Sequence, residues 1–520
     1  MRDRIVAVGW PLLVETTGAT WLRLPFDGER TMKTCRCPAH CGGCGGWTRR
    51  QFVGGAAALT AGALAGPWLA GGRVQAAERV RPCGPASQCV PKLRACFARR
   101  QGEYGMRWPG QIYDGQAARE RYTRQLIGAA EQLGMKLDLR AEPVYSLDEA
   151  DAWCRESVDA KPDGLLVVLL DRQEHAWPTA ERAIDTNIPT VVFSPLGTSF
   201  TTNTAGPSRK PGCFIASTDQ FEQVVYGMKM LAAGARMKAA RALIIAGNEA
   251  REDTLPQLGI RLKYIPARQF LDEYEKTPED DEVKAMAGEL IGRAKRLVRA
   301  TQQDVLNGIR SYVVARRLLE REQCDAISMD CLGALGRTKV SLPCIAWSKM
   351  NDDGVPAACE ADLGAVATHI MVQYLFDRPG FQQDPVAETA RGAIIGAHCS
   401  CPTRLDGFDA ERVEYDIVPH HGARDATARP VWKLGQRVTC ADVLPGSGAA
   451  PTQVLISEGE VIENCSVPPS GGCVVSVMVR FDRVEDVLAF PGFHQLFFYG
   501  GFRRELVQFC RLFRLQPVVV

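Results

Sequence analysis

Five carboxylate and imidazole side chains in the C-terminal half of the chain have the types and spacing to hold a divalent cation. Glu360 and Asp362 lie at the start of a predicted helix in "VPAACEADLG". Asp384 follows the end of that helix in "FQQD", His398 ends the next apolar strand in "IIGAH", and His494 lies in "PGFHQLFFYG". A helix and a returning strand can bring both ends of this segment to one rim. Two carboxylates and two imidazoles form a mixed oxygen and nitrogen set that suits Mn²⁺, with Co²⁺, Fe²⁺ or Zn²⁺ as possible competitors.

A simpler interpretation of the same residues is a solvated helix start. Carboxylates are favoured at a helix N-terminus by the free N–H groups and the helix dipole. A histidine considered singly is more often structural than a ligand. The spacing also leaves open whether Glu360 or Asp362 would be the ligand.

The composition is that of an ordinary globular protein. The chain has 520 residues, enough for several domains, with 46% hydrophobic and 23% charged residues. The formal net charge is +2, and no basic stripe is interleaved with aromatic residues. We therefore expect a small-molecule substrate and no nucleic-acid partner. No segment after the N-terminal region approaches the roughly 20 apolar residues of a membrane helix, so no stable membrane span is expected.

Residues 1–76 are predicted to be an N-terminal extension that carries an export signal. Arg49 and Arg50 precede Phe52 and an Ala/Gly/Leu stretch, which ends in the small-x-small sequence at 74–76. This segment resembles a twin-arginine signal, and we expect export by that route to a periplasmic or other extracytoplasmic location. Ahead of it lies a crowded group that could ligate zinc but would leave with the signal, namely Cys35, Cys37, His40, Cys41 and Cys44.

Hydrophobic patterning predicts three further units and an α/β fold class. Over 77–205, the buried strands "GLLVVLL" and "PTVVFS" each follow a helix, which indicates a Rossmann-like parallel sheet. A second Rossmann-like unit is predicted over 206–384, with strands "CDAISMD" and "PCIAWS" and the helix "LGAVATHIMVQYLFD". Over 385–520, short β-rich segments between Gly/Pro turns predict a small antiparallel β-barrel domain, closed by the helix "RRELVQFCRLF".

Fifteen of the 19 cysteines follow Ala76. Several lie in apolar or motif-like runs, where a free cysteine behaves as a small buried hydrophobic residue. We therefore expect few disulfides. The cysteines in such runs include Cys331, Cys344, Cys359 and Cys399.

From about residue 320 to the C-terminus, the chain resembles the C-terminal region of the L-fucose and L-arabinose isomerase superfamily. The motifs that carry the resemblance are "ACEAD", "FQQD", "GAHCSCP" and "FHQLFFYGGFRRELVQFCRLF", in the order and approximate spacing of that superfamily. The resemblance implies that Glu360 and Asp384 bind a metal and also act as acid and base, with His398 and His494 as imidazole ligands. It also implies a homo-oligomer, a trimer or hexamer.

The activity implied by the resemblance is metal-dependent aldose–ketose isomerisation of a free sugar, such as a fucose- or arabinose-like aldose. A proton would move between C1 and C2 through an ene-diol, with the two carboxylates as base and acid. The alternative is an exported, non-catalytic sugar-binding protein with tandem Rossmann-like lobes. A third possibility is a degenerate relative that keeps the fold without turnover.

Candidate substrate contacts come from the predicted crevice. Asp330 and Trp347 lie in predicted strands whose C-terminal ends would line the crevice of an α/β sheet. Asp362, Arg404 and His421 are further candidates. The structural alternatives are a helix cap for Asp330, a core aromatic residue for Trp347, and a solvated turn for Arg404 and His421.

Overall fold

The structure, a computed structural model, describes residues 83–102, 114–172, 174–420, 425–465 and 473–520. These residues all belong to the second of two units into which the chain divides, Gln75–Val520. The predicted export signal and the N-terminal cysteine group lie outside the described residues.

The described helices run in chain order from the N-terminal side of the first sheet to the end of the barrel. They are α1 (Pro85–Gln88), α2 (Gly115–Gln132), α3 (Leu147–Ala160), α4 (Ala176–Asp185), α5 (Thr201–Thr204), α6 (Glu222–Ala239), α7 (Ala267–Lys276), α8 (Asp281–Arg293), α9 (Gln302–Glu322), α10 (Cys331–Leu335), α11 (Cys344–Asp352), α12 (Leu363–Phe376) and α13 (Arg503–Leu512).

The described strands form four sheets. They are β1 (Lys92–Ala98), β2 (Lys136–Leu139), β3 (Gly164–Leu169), β4 (Thr190–Ser194), β5 (Cys213–Ser217), β6 (Arg241–Ile245), β7 (Arg251–Thr254), β8 (Arg261–Ile265), β9 (Arg296–Leu297), β10 (Ala326–Met329), β11 (Ala357–Cys359), β12 (Phe381–Glu388), β13 (Ala393–His398), β14 (Tyr415–Pro419), β15 (Ala426–Pro430), β16 (Arg437–Leu444), β17 (Gln453–Asn464), β18 (Val475–Phe481), β19 (Gln495–Tyr499) and β20 (Gln516–Val519).

Two sheets are of the Rossmann-like type. The first has the order β2-β1-β3-β4-β5 and is parallel throughout. Its central strand β3 is buried at all six positions, as expected for an apolar run covered by helices on both faces. The second has the order β11-β10-β6-β8-β7, in which only the edge strand β7 is antiparallel to its neighbour.

The C-terminal region forms a closed antiparallel barrel. Its strands follow the order β16-β19-β12-β13-β18-β17, and β17 pairs back to β16. The interior holds large aromatic side chains, among them Phe381, Trp432, Phe497 and Tyr499. The predicted fold class, two Rossmann-like parallel-sheet domains followed by a small antiparallel barrel, is therefore confirmed. A smaller sheet has the order β15-β14-β9. In it, β14 pairs with β15 and also with β9, a strand that lies much earlier in the chain, in the second α/β region.

Two local predictions were wrong. The segment "PCIAWS" is not a strand, because Cys344–Asp352 form helix α11 directly after Pro343, and proline is tolerated at such a helix start. The chain also does not end on a helix, since β20 follows α13 and adds to the barrel parallel to β17. Short apolar runs fit a buried helix as well as a buried strand, which explains the first error.

Helix α11 places Trp347 in the core. The side chain has no exposed surface, and its Nε1–H donates to the Ala358 carbonyl at 2.8 Å. This bond links α11 to β11, the strand that leads into Glu360. Trp347 therefore supports the backbone below the predicted site.

We expect Trp347→Phe to lower the free energy of unfolding by about 1–3 kcal/mol, because a buried carbonyl loses its donor while the ring volume is largely kept. Trp153→Phe is the matched control, since the Trp153 side chain is equally buried and its Nε1 has no hydrogen-bond partner among the described residues. Denaturant unfolding compares the two. An equal or larger loss in Trp153→Phe would contradict the structural role of the Trp347 bond.

Candidate metal centre

The predicted ligands meet where the end of strand β11 faces the rim of the barrel. Glu360 directly follows β11, and Asp384 lies in β12. His398 is the last residue of β13, and His494 directly precedes β19. Antiparallel pairing sets Asp384 opposite Ala397, and the residue after His494 opposite the residue before Asp384. The sheet register therefore carries the three barrel side chains to one edge.

The side-chain atoms of these residues converge on one point. Nε2 of His494 lies 3.4 Å from Oε2 of Glu360 and 3.3 Å from Oδ1 of Asp384. Nε2 of His398 lies 3.9 Å from Oε1 of Glu360. Glu360, His398 and His494 each offer a ligand atom, all within 4.8 Å of one another. All four residues predicted to bind a metal are therefore close together.

Three of the converging atoms are buried without a hydrogen bond in the described part of the chain. They are Oδ1 of Asp384, Nε2 of His398 and Nε2 of His494. Buried polar atoms nearly always have a partner, so three such atoms pointing at one place indicate that something else binds them. Oxygen and nitrogen donors of this kind suit a divalent transition metal, so these residues fit the expected cation.

Asp362 anchors His494 and does not join the converging atoms. Its Oδ2 lies 3.1 Å from Nδ1 of His494, while its Oδ1 accepts the Ala365 N–H at 2.7 Å and caps helix α12. An N–H donated from Nδ1 to this carboxylate leaves the Nε2 lone pair facing Glu360 and Asp384. Metal-binding histidines are commonly oriented in this way. The arrangement favours Glu360 over Asp362 as the ligand.

The backbone at the centre adopts conformations that non-glycine residues rarely take. The φ angles are +63° at Glu360, +53° at Ala361 and +53° at His494. Left-handed backbone costs roughly 1–2 kcal/mol per non-glycine residue and tends to occur at functional sites. Here it lies at two of the predicted ligands. The surrounding structure therefore stabilises an unfavourable backbone conformation at Glu360 and His494, and this conformation directs their side chains into the centre.

The electrostatics of the centre reflect crowded carboxylates. Burial raises the pKa of Asp384 to about 6 and lowers that of His398 to about 4. The close approach of His494 lowers the pKa of Glu360. Burial opposes protonation of His494, but the carboxylates of Asp362 and Glu360 outweigh it and raise its pKa to about 10. The site therefore has a strong preference for positive charge, which a protonated imidazole or a cation can supply.

The remaining candidate substrate residues have structural contacts. Asp330 caps helix α10, its Oδ1 accepting the Gly333 N–H at 3.0 Å. Arg404 donates from Nη1 to the carbonyls of Phe408 and Ala410, both at 2.8 Å. Trp347 is the core residue described above, and His421 lies outside the described residues. The roles of these four residues in substrate binding stay predictions.

Asp442 was missed in the sequence. It lies in strand β16 between Ala441 and Val443, is itself 2% exposed, and its Oδ2 has no hydrogen bond among the described residues. Burial, and next the charge of Asp362, raise its pKa to about 7. A carboxylate flanked by apolar strand residues in "TCADVL" was the available signal. Asp442 adds a further acid behind Asp362.

A separate cavity of about 520 Å³ lies elsewhere on the unit. Its lining includes Lys161, Pro189, Gly234 and Phe513 and none of the predicted site residues. No described helix is long and apolar enough to cross a membrane.

Comparisons with known proteins leave the family open. No protein-family model matches the chain, and no curated protein matches it. Among solved structures, it is similar to a periplasmic solute-binding protein from Actinobacillus succinogenes with bound D-allose (12% identity, 55% of this chain, 91% of that chain, TM-score 0.17). It is also similar to the glucose-galactose binding protein GanP from Geobacillus stearothermophilus (16% identity, 56% of this chain, 92% of that chain, TM-score 0.17). A third similar structure is a sugar-binding protein of a sugar transporter from Bacillus halodurans (14% identity, 57% of this chain, 91% of that chain, TM-score 0.17). Likenesses at this level do not bear on function.

We expect Asp362→Asn to weaken Mn²⁺ binding about 10–100-fold, the usual effect of removing a residue that orients a metal-binding histidine. An amide N–H facing Nδ1 would also favour the tautomer that carries its proton on Nε2. Asparagine caps a helix as well as aspartate does, whereas Asp362→Ala should lose about 1 kcal/mol more stability than Asp362→Asn. Calorimetric titration with Mn²⁺ and denaturant unfolding measure the two effects separately. Unchanged Mn²⁺ affinity in Asp362→Asn would show that Asp362 does not position the ligand.

Proposed function

We propose that the chain is a metal-dependent aldose–ketose isomerase of the L-fucose and L-arabinose isomerase type. The observation that carries the proposal is the approach of two carboxylates, Glu360 and Asp384, to the same nitrogen of His494, at 3.4 and 3.3 Å. Isomerisation requires a base and an acid beside adjacent carbons, together with stabilisation of developing oxyanions. The centre contains groups suited to each of these tasks.

The metal would be held by Glu360, Asp384, His398 and His494. This donor set suits Mn²⁺, with Co²⁺, Fe²⁺ or Zn²⁺ as competitors. When bound, the ion would supply Lewis-acid stabilisation of the charge that develops on the sugar oxygens O1 and O2. Asp362 would keep the His494 ring oriented through the 3.1 Å contact at Nδ1.

The two carboxylates divide the proton transfers. One carboxylate takes the proton from C2 of the aldose, while the other group, as a carboxylic acid, protonates O1. This gives the ene-diol. The first group then returns its proton to C1, and the O2 proton passes to the second carboxylate, which leaves the ketone at C2. Glu360 comes from the end of β11 and Asp384 from the barrel strand β12, so the two groups reach the sugar from different elements.

The alternative, an exported sugar-binding protein without catalysis, needs tandem α/β lobes alone. It offers no reason for buried carboxylate and imidazole atoms to converge at the barrel rim. We also propose export through the N-terminal twin-arginine sequence and assembly into a homo-oligomer, both of which rest on sequence resemblance.

The proposal is tested by incubating the purified chain with Mn²⁺ and a panel of free aldoses, and by measuring ketose formation. We expect turnover of at least one aldose by the wild type. Glu360→Gln should reduce turnover by roughly 10²–10⁴-fold, the usual contribution of a general acid or base. Glu388→Gln, a carboxylate farther along the strand that carries Asp384, should retain activity. Binding of a sugar without any ketose product would favour the binding-protein alternative. Equal turnover by wild type and Glu360→Gln would remove Glu360 from the chemistry.

A further inference from the structure

A group of buried sulfur and imidazole side chains lies beside the carboxylate–imidazole centre and has no part in the proposed reaction. Cys344 begins helix α11, Cys399 follows strand β13, and His420 follows strand β14. These side chains are 2%, 5% and 6% exposed. One ligand atom of each lies within 4.8 Å of those of the other two. Three segments far apart in the sequence therefore bring soft donors to one point.

The separations are those of metal ligands. Sγ of Cys344 lies 3.6 Å from Nδ1 of His420. Tetrahedral zinc, with Zn–S about 2.3 Å and Zn–N about 2.0 Å, sets a sulfur and a nitrogen ligand about 3.5 Å apart. The ligand atom of Cys399 lies within 4.8 Å of both of these atoms.

Hydrogen bonds hold the three segments in this arrangement. The Leu342 N–H, two residues before Cys344, donates to Oδ1 of Asp425 at 3.1 Å. The His420 N–H donates to the carbonyl of the same Asp425 at 2.7 Å. The hydroxyl of Thr427 donates to the Cys399 carbonyl. Ligands held in place before binding lose less entropy when the ion arrives.

The chemistry of this group differs from that of the first centre, the carboxylate–imidazole centre of Glu360, Asp384, His398 and His494. Thiolate and imidazole donors select zinc, whereas carboxylate-rich sets accept manganese. Two thiolates and a neutral imidazole also balance the charge of a divalent ion, so the occupied site would be neutral overall. A neutral assembly avoids the large cost of burying an isolated charge.

His398 lies between the two groups of donors. Its Nε2 faces Glu360 at 3.9 Å, while its Nδ1 lies 3.6 Å from Sγ of the adjacent Cys399. A second grouping, Cys359 with His398 and Cys399, is also within ligand range. Because His398 already faces the first centre, the set that includes His420 is the one independent of it.

We propose that Cys344, Cys399 and His420 form a second metal site that binds Zn²⁺. The ion would tie α11, β13 and β14 together. Through the contact between Cys399 and His398 it would also hold that imidazole towards the first centre. The site is structural and takes no part in proton transfer.

The test uses the full chain carrying Cys35→Ala, Cys37→Ala, Cys41→Ala and Cys44→Ala, because the N-terminal cysteines could also bind zinc. The protein is produced in Co²⁺-supplemented minimal medium, so that buried sites load during folding. We expect the near-ultraviolet charge-transfer absorption of thiolate-bound Co²⁺. It should be lost in Cys344→Ala and in His420→Ala, and retained in Cys154→Ala, a buried cysteine of helix α3. Protein from zinc-supplemented medium should hold one Zn²⁺ more per chain than Cys344→Ala.

The first centre has no proposed sulfur ligand, so this absorption reports on the second site alone. Glu360→Gln should keep the absorption even though it loses turnover, which separates failure of this inference from failure of the proposed isomerase. Two results would overturn the inference. One is a folded wild-type chain without thiolate-to-Co²⁺ absorption, which needs no variant to interpret. The other is absorption that persists unchanged in both Cys344→Ala and His420→Ala.

Discussion

The convergence of two carboxylates on one imidazole nitrogen is the constraint on which the rest of the proposed site depends. Glu360 and Asp384 both approach Nε2 of His494, while Asp362 contacts the other ring nitrogen. Like charges brought this close in a partly buried place repel one another unless positive charge joins them. The shifted pKa values of Asp384 and His494 both follow from this crowding and burial. A divalent cation relieves the same repulsion.

Two different parts of the fold supply the converging groups. The parallel sheet delivers Glu360 at the end of β11, where two successive left-handed residues turn the chain towards Asp362 and helix α12. The barrel delivers the other three residues through the register of β12, β13 and β19. A shift of β12 by one residue would turn Asp384 to the other face of the strand, so register and site are coupled.

The ligands of the first centre were predicted from the sequence more successfully than the residues and elements that support them. Glu360, Asp384 and His398 lie around one helix and the strands that follow it, so local topology allowed them to meet, and the family resemblance singled them out as ligands. The role of Asp362 depends on His494, 132 residues away, and spacing could not separate it from Glu360. The buried strands, such as "GLLVVLL", were also predictable because covered parallel strands are continuously apolar.

Other features depend on tertiary contacts that no local pattern encodes. Helix α11 was mistaken for a strand because its apolar run is short, and the burial of Asp442 in the barrel was missed. Cys344 and Cys399 were interpreted as small hydrophobic residues, and their approach to His420 results from α11, β13 and β14 packing together. The result is a hard donor set and a soft donor set on either side of His398.

Anomalous diffraction at the manganese edge can show whether the first donor set binds a divalent metal. Crystals of the chain grown with Mn²⁺ should give an anomalous peak bounded by Glu360, Asp384, His398 and His494, and the peak should disappear in Glu360→Gln. A well-ordered site without a peak, or a peak that lies away from these four side chains, would show that this donor set does not bind Mn²⁺.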